Sequence, residues 1–243
     1  MNLKYLNLFS KKYKKVLAFD GGGVRAIMGV YFLKRLELET SKTIFESFDL
    51  FIGKSAGATN ALILDMNGST TNDLEDFWTV ENLKKIMNQS FIDRTSIFQT
   101  RPKYSNVGKK EVLTEFFGKR KIGESLKPVV VTAYDLEERK PILLSSYENP
   151  DTLVVNAANA SSAAPIYFPT ANMEDGKWLI DGGIATNNPS LLGFVEAKKL
   201  FATNNIKVLG IGAGLNKRKI NGKHSRNWGA LGWFRHDILG VCL

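Results

Sequence analysis

Short apolar runs alternate with longer, partly polar stretches along this chain. The apolar runs at 15–19 and 48–53 each end at glycines, and a stretch that suits a buried helix follows each run. Such runs are typical of buried strands, and the stretches 27–33 and 56–64 predict the first two helices. Strands alternating with helices indicate an α/β sheet that is covered on both faces.

The same pattern continues through the second half of the chain. It predicts strands at 127–136, 140–147, 177–181 and 206–214. A small-residue helix is predicted at 157–164, ended by Pro165. Another helix is predicted with Asn188 as its N-cap and Pro189 at its first position. The middle of the chain, 67–123, is less periodic and predicts helices and loops.

The composition indicates one folded domain over residues 1–243. The chain is 44% hydrophobic and 23% charged, as is usual for globular proteins. The predicted motif-bearing core spans about 14–214, and 215–243 is predicted to form a basic loop and an amphipathic helix. The single cysteine, Cys242, excludes an intramolecular disulfide and a thiolate-rich zinc site. No transmembrane run and no secretory signal are expected, which predicts a cytoplasmic protein.

The formal net charge is +9, and the basic residues occur in clusters. The clusters are Lys11, Lys12, Lys14 and Lys15; Lys119, Arg120 and Lys121; and Lys217, Arg218, Lys219, Lys223 and Arg226. Such charge favours anionic partners, either a membrane surface or nucleic acid, and is otherwise a solvated basic face. Nucleic acid is not expected, because zinc-finger spacing and RNA-recognition motifs are missing from the sequence.

The run Gly53-Lys54-Ser55-Ala56-Gly57 lies between the second strand and the second helix. It matches the pattern G-x-S-x-G, in which a tight turn exposes a nucleophilic serine above the sheet. The flanking glycines remove side chains that would collide in such a turn. The following helix start offers N–H groups and a positive dipole end to an oxyanion. Ser55 is therefore a candidate nucleophile; the alternative is a glycine-rich turn in which it caps the helix.

A second glycine-rich turn, Asp20-Gly21-Gly22-Gly23, follows the first strand. Consecutive glycines leave backbone N–H groups accessible, which suits an oxyanion hole. Gly21, Gly23 and Ala26 also fit the dinucleotide-binding pattern G-x-G-x-x-A. That function needs a second strand ending in an acidic residue about 20 residues further on, and here that region is the charged end of a helix. A purely structural turn is the third interpretation.

The proton acceptor for Ser55 is predicted to be Asp181, which ends an apolar strand and precedes Gly182 and Gly183. If this strand is parallel to the others, its carboxyl end lies at the same sheet edge as Ser55, and the two side chains can meet. An aspartate is a weak base with an ordinary pKa of about 3.9, which burial would raise. Strong oxyanion stabilisation would also reduce the demand on the base.

A Ser-His-Asp triad is the alternative, because Ser55, Asp181 and then His224 or His236 follow the chain order of α/β-hydrolases. Two observations count against it. Only one predicted strand precedes the strand that leads into Ser55, whereas that fold places several there. Both histidines also lie in a basic or terminal segment, where solvated or packed histidines are commoner.

Several motifs, taken together and in their order along the chain, resemble those of the patatin-like phospholipase family. DGGGVRA is similar to the family's D-G-G-G-x-R-G loop, and GKSAG to its G-x-S-x-G turn. ASSAAPIYFP at 160–169 resembles its helix-ending segment, and DGGIATNNP at 181–189 its D-G-G or D-G-A motif. GIGAG at 210–214 resembles the glycine-containing end of a later strand. Order and spacing agree from about residue 14 to residue 214.

The resemblance implies a three-layer α/β/α fold with a central mixed, mostly parallel sheet. It also implies hydrolysis of fatty-acyl esters through an acyl-enzyme, without a metal or another cofactor. By this resemblance Ser55 is the nucleophile and Asp181 the general base. The implied oxyanion hole consists of the N–H groups of Gly21, Gly22, Gly23 and Ala56. The implied supporting residues are Arg25, Gly53, Gly57, Gly182 and Gly183.

The implied substrate is a membrane phospholipid or another glycerolipid. The basic clusters predict that the protein reaches it by peripheral binding to an anionic membrane from the cytosolic side. The resemblance identifies no protein activator. Two positions depart from the family pattern. Ala26 replaces the last glycine of the loop motif, and Lys54 stands where small or neutral residues are more usual. The Lys54 charge is expected either to favour anionic lipid or to point into solvent.

Overall fold

The computed structural model describes residues 13–66, 68, 70–88, 101–186, 188–214, 220–229, 232 and 233. The chain divides into two compact units, Met1–Ala213 and Gly214–Leu243. The residues proposed above for the Ser–Asp site all lie in the first unit. Among the described residues, no helix is both long enough and apolar enough to cross a bilayer.

The second unit is described only in part. It contains one short helix, Gly222–Ser225, and an edge-to-face contact between Trp228 and Trp233 with ring centroids 5.3 Å apart. Most of the terminal helix predicted for this region lies outside the described residues, as do Cys242 and His236.

Seven strands form one mixed sheet in the described part of the chain. They are β1 Lys14–Phe19, β2 Leu50–Lys54, β3 Val129–Asp135, β4 Lys140–Ser145, β5 Ala171–Asn172, β6 Trp178–Asp181 and β7 Ile206–Ile211. The order β7, β1, β2, β3 is parallel throughout. β4 and β6 run antiparallel to β3, and β5 runs antiparallel to β6. The short strand β5 was not predicted, because two residues show no hydrophobic period.

The helices of the first unit follow the predicted alternation. Those formed by described residues are α1 Ile27–Thr40, α2 Ile44–Ser47, α3 Ala56–Met66, α4 Thr71–Phe77, α5 Val80–Ile86, α6 Asn106–Phe117, α7 Val154–Ser161 and α8 Ser190–Phe201. The prediction for α7 was wrong by three residues at each end. The helix stops early because the chain turns after Ser161, where the Ala163 carbonyl accepts a hydrogen bond from the Asp181 N–H at 3.1 Å. α8 begins one residue later than predicted, and the Asn188 side chain accepts from the Ser190 N–H at 2.9 Å.

The central strands β2 and β3 and most of β1 are buried on both faces, which explains why they appear in the sequence as continuous apolar runs. Successive side chains of a strand point to opposite faces. In β1, Leu17 and Phe19 belong to the larger hydrophobic core, which includes residues of α1 and α3. Val16 and Ala18 belong to a second core on the other face, which includes Ala197 of α8.

Two strands share one edge of β3, and this arrangement positions the site. β4 pairs along the other edge, with residues 130–135. On the shared edge, β2 pairs with residues 129–132 and β6 with residues 133–135. Because β2 is parallel to β3 and β6 is antiparallel, the carboxyl ends of β2 and β6 face each other.

The pairing partners show how close these two ends lie. Lys54 pairs with Thr132, and Asp181 pairs with the next residue of β3, Ala133. The assumption that β6 is parallel was therefore wrong. Asp181 lies at the level of Ser55 because its strand approaches from the opposite direction and ends there.

Candidate active site

Ser55 occupies a sharp bend between β2 and α3. Its φ is +52°, a left-handed value that few residues other than glycine adopt. A side chain on Gly53 would lie 2.5 Å from the carbonyl carbon of Gly57. A side chain on Gly57 would lie 2.7 Å from the carbonyl oxygen of Phe19. The bend closes in this form only with glycine at both positions, and it leaves Ser55 partly exposed.

The Ser55 hydroxyl lies within hydrogen-bonding reach of the Asp181 carboxylate and favours its ionised form. Asp181 is only 4% exposed and also accepts from the Gly183 N–H at 2.8 Å. Burial raises the pKa of Asp181 above its ordinary value, while these hydrogen bonds and nearby positive charges oppose the shift. A side chain on Gly182 would lie 2.5 Å from the Thr132 carbonyl oxygen. The chain therefore turns tightly against β3 immediately after Asp181.

The glycine turn after β1 packs against the Ser55 bend. A Cβ on Gly21 would lie 2.8 Å from the Cβ of Ser55. Gly22 and Gly23 have φ values of +146° and +57°, which glycine adopts without steric cost. Gly23 begins a short 3-10 helix and Ala56 begins α3. The N–H groups of a first helical turn have no partner within their helix, so both helix starts bring backbone donors to this edge of the sheet.

Two side chains hold the glycine turn. The Arg25 guanidinium donates to the Gly22 carbonyl at 3.4 Å, and the Arg25 backbone N–H donates to the same oxygen at 3.2 Å. The Asp20 carboxylate accepts from the side-chain amide of Asn188 at 3.0 Å. Burial raises the pKa of Asp20, and the charge of Lys54 opposes this shift. These contacts link the turn to the start of the segment that leads into α8.

Two buried lysines, Lys54 and Lys109, lie within electrostatic reach of Asp181. Each is 4% exposed. Burial lowers the pKa of both ammonium groups, that of Lys109 to about 7, while the charge of Asp181 raises it. Of the two alternatives for the Lys54 charge, the one in which it points into solvent was wrong. The glycine turn covers its side chain, since a Cβ on Gly21 would lie 3.1 Å from the Lys54 Cε.

Lys109 and Ser161 were missed in the sequence analysis. Ser161 is fully buried at the end of α7, and its hydroxyl accepts from the Ser55 N–H at 2.9 Å. It lies inside the segment 160–169, whose small residues indicated only the end of a helix. Lys109 stands beside Lys110 in α6, and adjacent lysines suggest a solvated helix surface. Neither residue carries a local signal, because each is connected to the site by the packing of α6 or α7.

The alternatives to a Ser–Asp pair gain no support from the described residues. The dinucleotide pattern needs an acidic residue at the end of β2, where the structure has Lys54. His224 is exposed within the second unit. The Ser55 hydroxyl instead lies within hydrogen-bonding reach of Asp181. Within the described ranges, no group of three or more His, Cys, Asp or Glu side chains is arranged to hold a metal ion.

The family assignment comes from comparison with known proteins. A family model described as "Patatin-like phospholipase" matches residues 17–192, which include both glycine turns and β6. The chain belongs to the patatin-like phospholipase family. "Patatin-like protein 2" of Arabidopsis thaliana is 29% identical over 272 residues, which cover 91% of this chain and 65% of that protein. "cGAMP-activated phospholipase" of Pseudomonas aeruginosa is 32% identical over 206 residues, which cover 81% of this chain and 61% of that protein.

The patatin-like chain therefore spans less than two thirds of the length of these two relatives. Among solved structures, VipD from Legionella pneumophila superimposes with a TM-score of 0.56 at 13% sequence identity. The superposition covers 96% of this chain and 56% of VipD, and at this identity it concerns the fold alone. The family and the fold class predicted from the sequence motifs are both confirmed.

Proposed function

We propose that this protein is a lipid acyl hydrolase of the phospholipase A or lysophospholipase type. Ser55 is the nucleophile and Asp181 the general base. The observation that carries the proposal is the approach of the Ser55 hydroxyl to within hydrogen-bonding reach of a carboxylate that is 4% exposed. The left-handed bend at Ser55 and membership of the patatin-like phospholipase family support it.

The proposed reaction has two halves. In the first, the Ser55 Oγ attacks the ester carbonyl carbon while its proton passes to Asp181, and a tetrahedral oxyanion forms. The bond to the alcohol oxygen then breaks, Asp181 returns the proton to that oxygen, and the acyl group stays on Ser55. In the second half, water gives its proton to Asp181 and attacks the acyl group, and the fatty acid leaves as the Ser55 hydroxyl is restored.

The developing oxyanion is proposed to accept hydrogen bonds from the backbone N–H groups of Gly21, Gly22 and Gly23, with that of Ala56. The close packing of Gly21 on Ser55 supports this assignment. Donors fixed at the place where charge develops stabilise the transition state more than the ground state. Strong stabilisation of this kind makes a weak base such as aspartate sufficient for esters, because an alkoxide leaves more readily than an amine.

The proposed substrate is a phospholipid or another glycerolipid, taken from a membrane that the protein binds peripherally on its cytosolic side. The net charge of +9 favours anionic lipid, and salt should screen this attraction. The reaction as proposed needs no metal or cofactor, and no nucleic acid is involved. Because one relative is named as a cGAMP-activated phospholipase, an activator belongs among the conditions tested.

A fluorophosphonate probe, which labels activated serines, tests the proposal directly. We expect labelling of the wild type and of Ser41→Ala, and none of Ser55→Ala. Ser41 is a matched control, because it is an exposed serine with a similar φ of +53°. Asp181→Asn should label at least about a hundredfold more slowly, because it cannot accept the proton. The double variant His224→Ala/His236→Ala should label like the wild type.

Fatty-acid release from phosphatidylcholine vesicles, with and without phosphatidylserine and with and without cGAMP, then defines the substrate class and any activation. A folded wild type that is neither labelled nor active under all these conditions would contradict the proposal. If labelling instead depends on a histidine, the base is not Asp181 and the Ser-His-Asp alternative replaces it.

A further inference from the structure

The segment 161–163 consists of the last residue of α7 and the two residues that follow it. It is hydrogen-bonded to both members of the Ser55–Asp181 pair. The Ser161 hydroxyl accepts from the Ser55 N–H at 2.9 Å. Two residues later, the Ala163 carbonyl accepts from the Asp181 N–H at 3.1 Å. Ser55 and Asp181 belong to different strands, so the segment 161–163 joins their backbones directly. A shift of this segment would change the distance between nucleophile and base.

The middle residue of this segment, Ser162, is held by Lys109. The Lys109 Nζ donates to the Ser162 carbonyl at 3.1 Å and to its hydroxyl at 3.3 Å. It also donates to the Asn159 carbonyl at 3.4 Å and lies 4.0 Å from the centroid of the Phe168 ring. The last carbonyls of a helix lack partners within it and favour a positive charge. The ammonium of Lys109 therefore closes the end of α7 at the segment that holds the pair.

The helix that carries Lys109 is itself fixed in place. A side chain on Gly108 would overlap the carbonyl group of Lys85 in α5, so α6 and α5 are in close backbone contact there. The loop after segment 161–163 is joined to the chain before α6 by two hydrogen bonds, from the Lys103 N–H to the Ile166 carbonyl at 2.9 Å and from the Tyr104 N–H to the Tyr167 carbonyl at 2.8 Å. Lys109 thus acts from a rigid support.

We propose that Lys109 is a positioning residue for the Ser55–Asp181 pair, and that it acts through the segment 161–163, which its ammonium group holds. The inference rests on the proposed function, since it concerns the geometry of that pair. The ordered segment holds the backbone amides of Ser55 and Asp181 in a fixed relative position, so that the Ser55 hydroxyl faces the Asp181 carboxylate. Near a buried carboxylate the same positive charge also favours the ionised base.

The charged surroundings of Lys109 are simple among the described residues. Asp181 favours its ammonium form, and Lys110 on the same helix disfavours it. α7 contributes no ionisable side chain, because its sequence is VVNAANAS. In α5, Lys85 pairs with Glu115 at 3.3 Å and with Glu81 at 3.8 Å. With a pKa lowered to about 7 by burial, Lys109 should lose its charge at moderately alkaline pH.

Kinetic variants test this role, with Lys110→Met as the matched control. Lys110 is the next residue of α6 and is exposed. In ester hydrolysis we expect Lys109→Met to lower kcat at least thirtyfold with KM within threefold of the wild type, and Lys110→Met to change neither by more than twofold. Ser161→Ala should lower kcat about tenfold. Because both variants break the same connection, the double variant should be no more than about threefold slower than Lys109→Met.

A second measurement reads the positioning without relying on turnover. Amide hydrogen exchange at Ser55 and Asp181 should accelerate at least tenfold in Lys109→Met, while exchange in β1 stays unchanged. In the wild type, kcat should fall as pH rises above about 7, and Lys109→Arg, which keeps its charge, should lose this alkaline fall. If Lys109→Met does not fold, hydrogen exchange can be measured in Ser161→Ala and the pH dependence of kcat in Lys109→Arg.

The outcomes separate the two proposals. An active wild type, an inactive Ser55→Ala and a Lys109→Met within threefold of the wild type would overturn the role of Lys109 alone. The same conclusion follows if the effects of Ser161→Ala and Lys109→Met multiply, if the two amides stay protected in Lys109→Met, or if the wild-type kcat is flat from pH 6 to 9. A wild type with no activity, or a fully active Ser55→Ala, would overturn the proposed function, and the positioning role with it.

Discussion

One glycine-rich turn follows β1 and the other follows β2. These strands are adjacent and parallel, and they end at the same level, where Phe19 pairs with Gly53. The two turns use glycine for different reasons. In the β2 turn the constraint is space, since a Cβ on Gly53 would lie 2.6 Å from the backbone nitrogen of Ala58. In the β1 turn, no heavy atom of the described residues lies within 4 Å of a Cβ added at Gly23, and the constraint is the φ of +57°. The β2 turn is packed at both glycines, whereas the β1 turn is packed at Gly21 and Gly22 and open at Gly23, where glycine serves the backbone conformation.

The two turns also differ in which type of residue adopts the left-handed backbone conformation. In the β2 turn a non-glycine residue, Ser55, has the left-handed φ, at a cost of about 1 kcal/mol. Close packing and the hydrogen bond to Ser161 hold it there. In the β1 turn the left-handed residues are glycines, so the backbone donors are exposed without that cost. Substitution of a packed glycine of the β2 turn should therefore reduce stability first, and substitution of Gly23 should reduce activity first.

The largest effect is expected for Gly53→Ala. The new Cβ would lie 2.5 Å from the carbonyl carbon of Gly57, and neither backbone can move without distorting β2 or α3. We expect the free energy of unfolding to fall by about 3 kcal/mol or more, measured by urea denaturation. Gly212→Ala is the matched control, because its Cβ would meet only an Asp20 oxygen at 3.7 Å and should cost less than about 1 kcal/mol. Equal losses in the two variants would show that the β2 turn is not packed as described.

Gly23→Ala should reduce activity more than stability. The added Cβ meets open space, so the expected loss of stability is only the left-handed backbone cost of about 1 kcal/mol. Loss of one oxyanion donor costs about 10²- to 10³-fold in rate. Partial displacement of the turn should therefore lower kcat at least about tenfold. Parallel measurements of urea denaturation and fatty-acid release check this; a loss of stability as large as that of Gly53→Ala would contradict the contrast.

Lys54→Met tests the electrostatics where the two turns meet. Asp181 must be ionised to act as a base, and burial raises its pKa, so activity should fall as pH decreases through that raised pKa. The Lys54 charge favours the ionised form, and its removal should move this acidic limb of the kcat profile to higher pH by about one pH unit. Lys84→Met, on the exposed side of α5, should leave the limb in place. A limb that stays fixed or moves to lower pH in Lys54→Met would exclude this role.

The smallest effect is expected for Arg25→Met. Its guanidinium donates to the Gly22 carbonyl at 3.4 Å, but the Arg25 backbone N–H donates to the same oxygen and remains. We expect a two- to threefold lower kcat and a change in stability of less than about 0.5 kcal/mol. Arg35→Met, which removes an exposed pair with Glu39 at 2.6 Å, should leave kcat unchanged. A tenfold loss in Arg25→Met would mean that the side chain does more than brace the turn.

Much of the fold could be predicted from sequence, because its strands are short and buried on both faces. β1, β2, β3 and β7 appear as continuous apolar runs, and glycines mark where β1 and β2 end. The prediction failed at β5, at the bounds of α7 and at the direction of β6. β5 has only two residues and therefore shows no hydrophobic period. In the other two cases the deciding interaction was distant in sequence: β6 pairs with β3, and the turn after α7 bonds to Asp181.

The two turns and the candidate nucleophile could be identified from residue type and spacing alone. Their geometry depends on contacts within a few residues, as between Gly53 and Gly57, so residue type and spacing suffice to identify them. Only the tertiary structure decided that Asp181 meets Ser55 from an antiparallel strand, and that Lys54 and Lys109 are buried beside it. Strand direction is set by pairing with β3, and burial is set by whichever segment covers a side chain. Neither the direction of a strand nor the burial of a side chain can be predicted from the residues nearby in the chain.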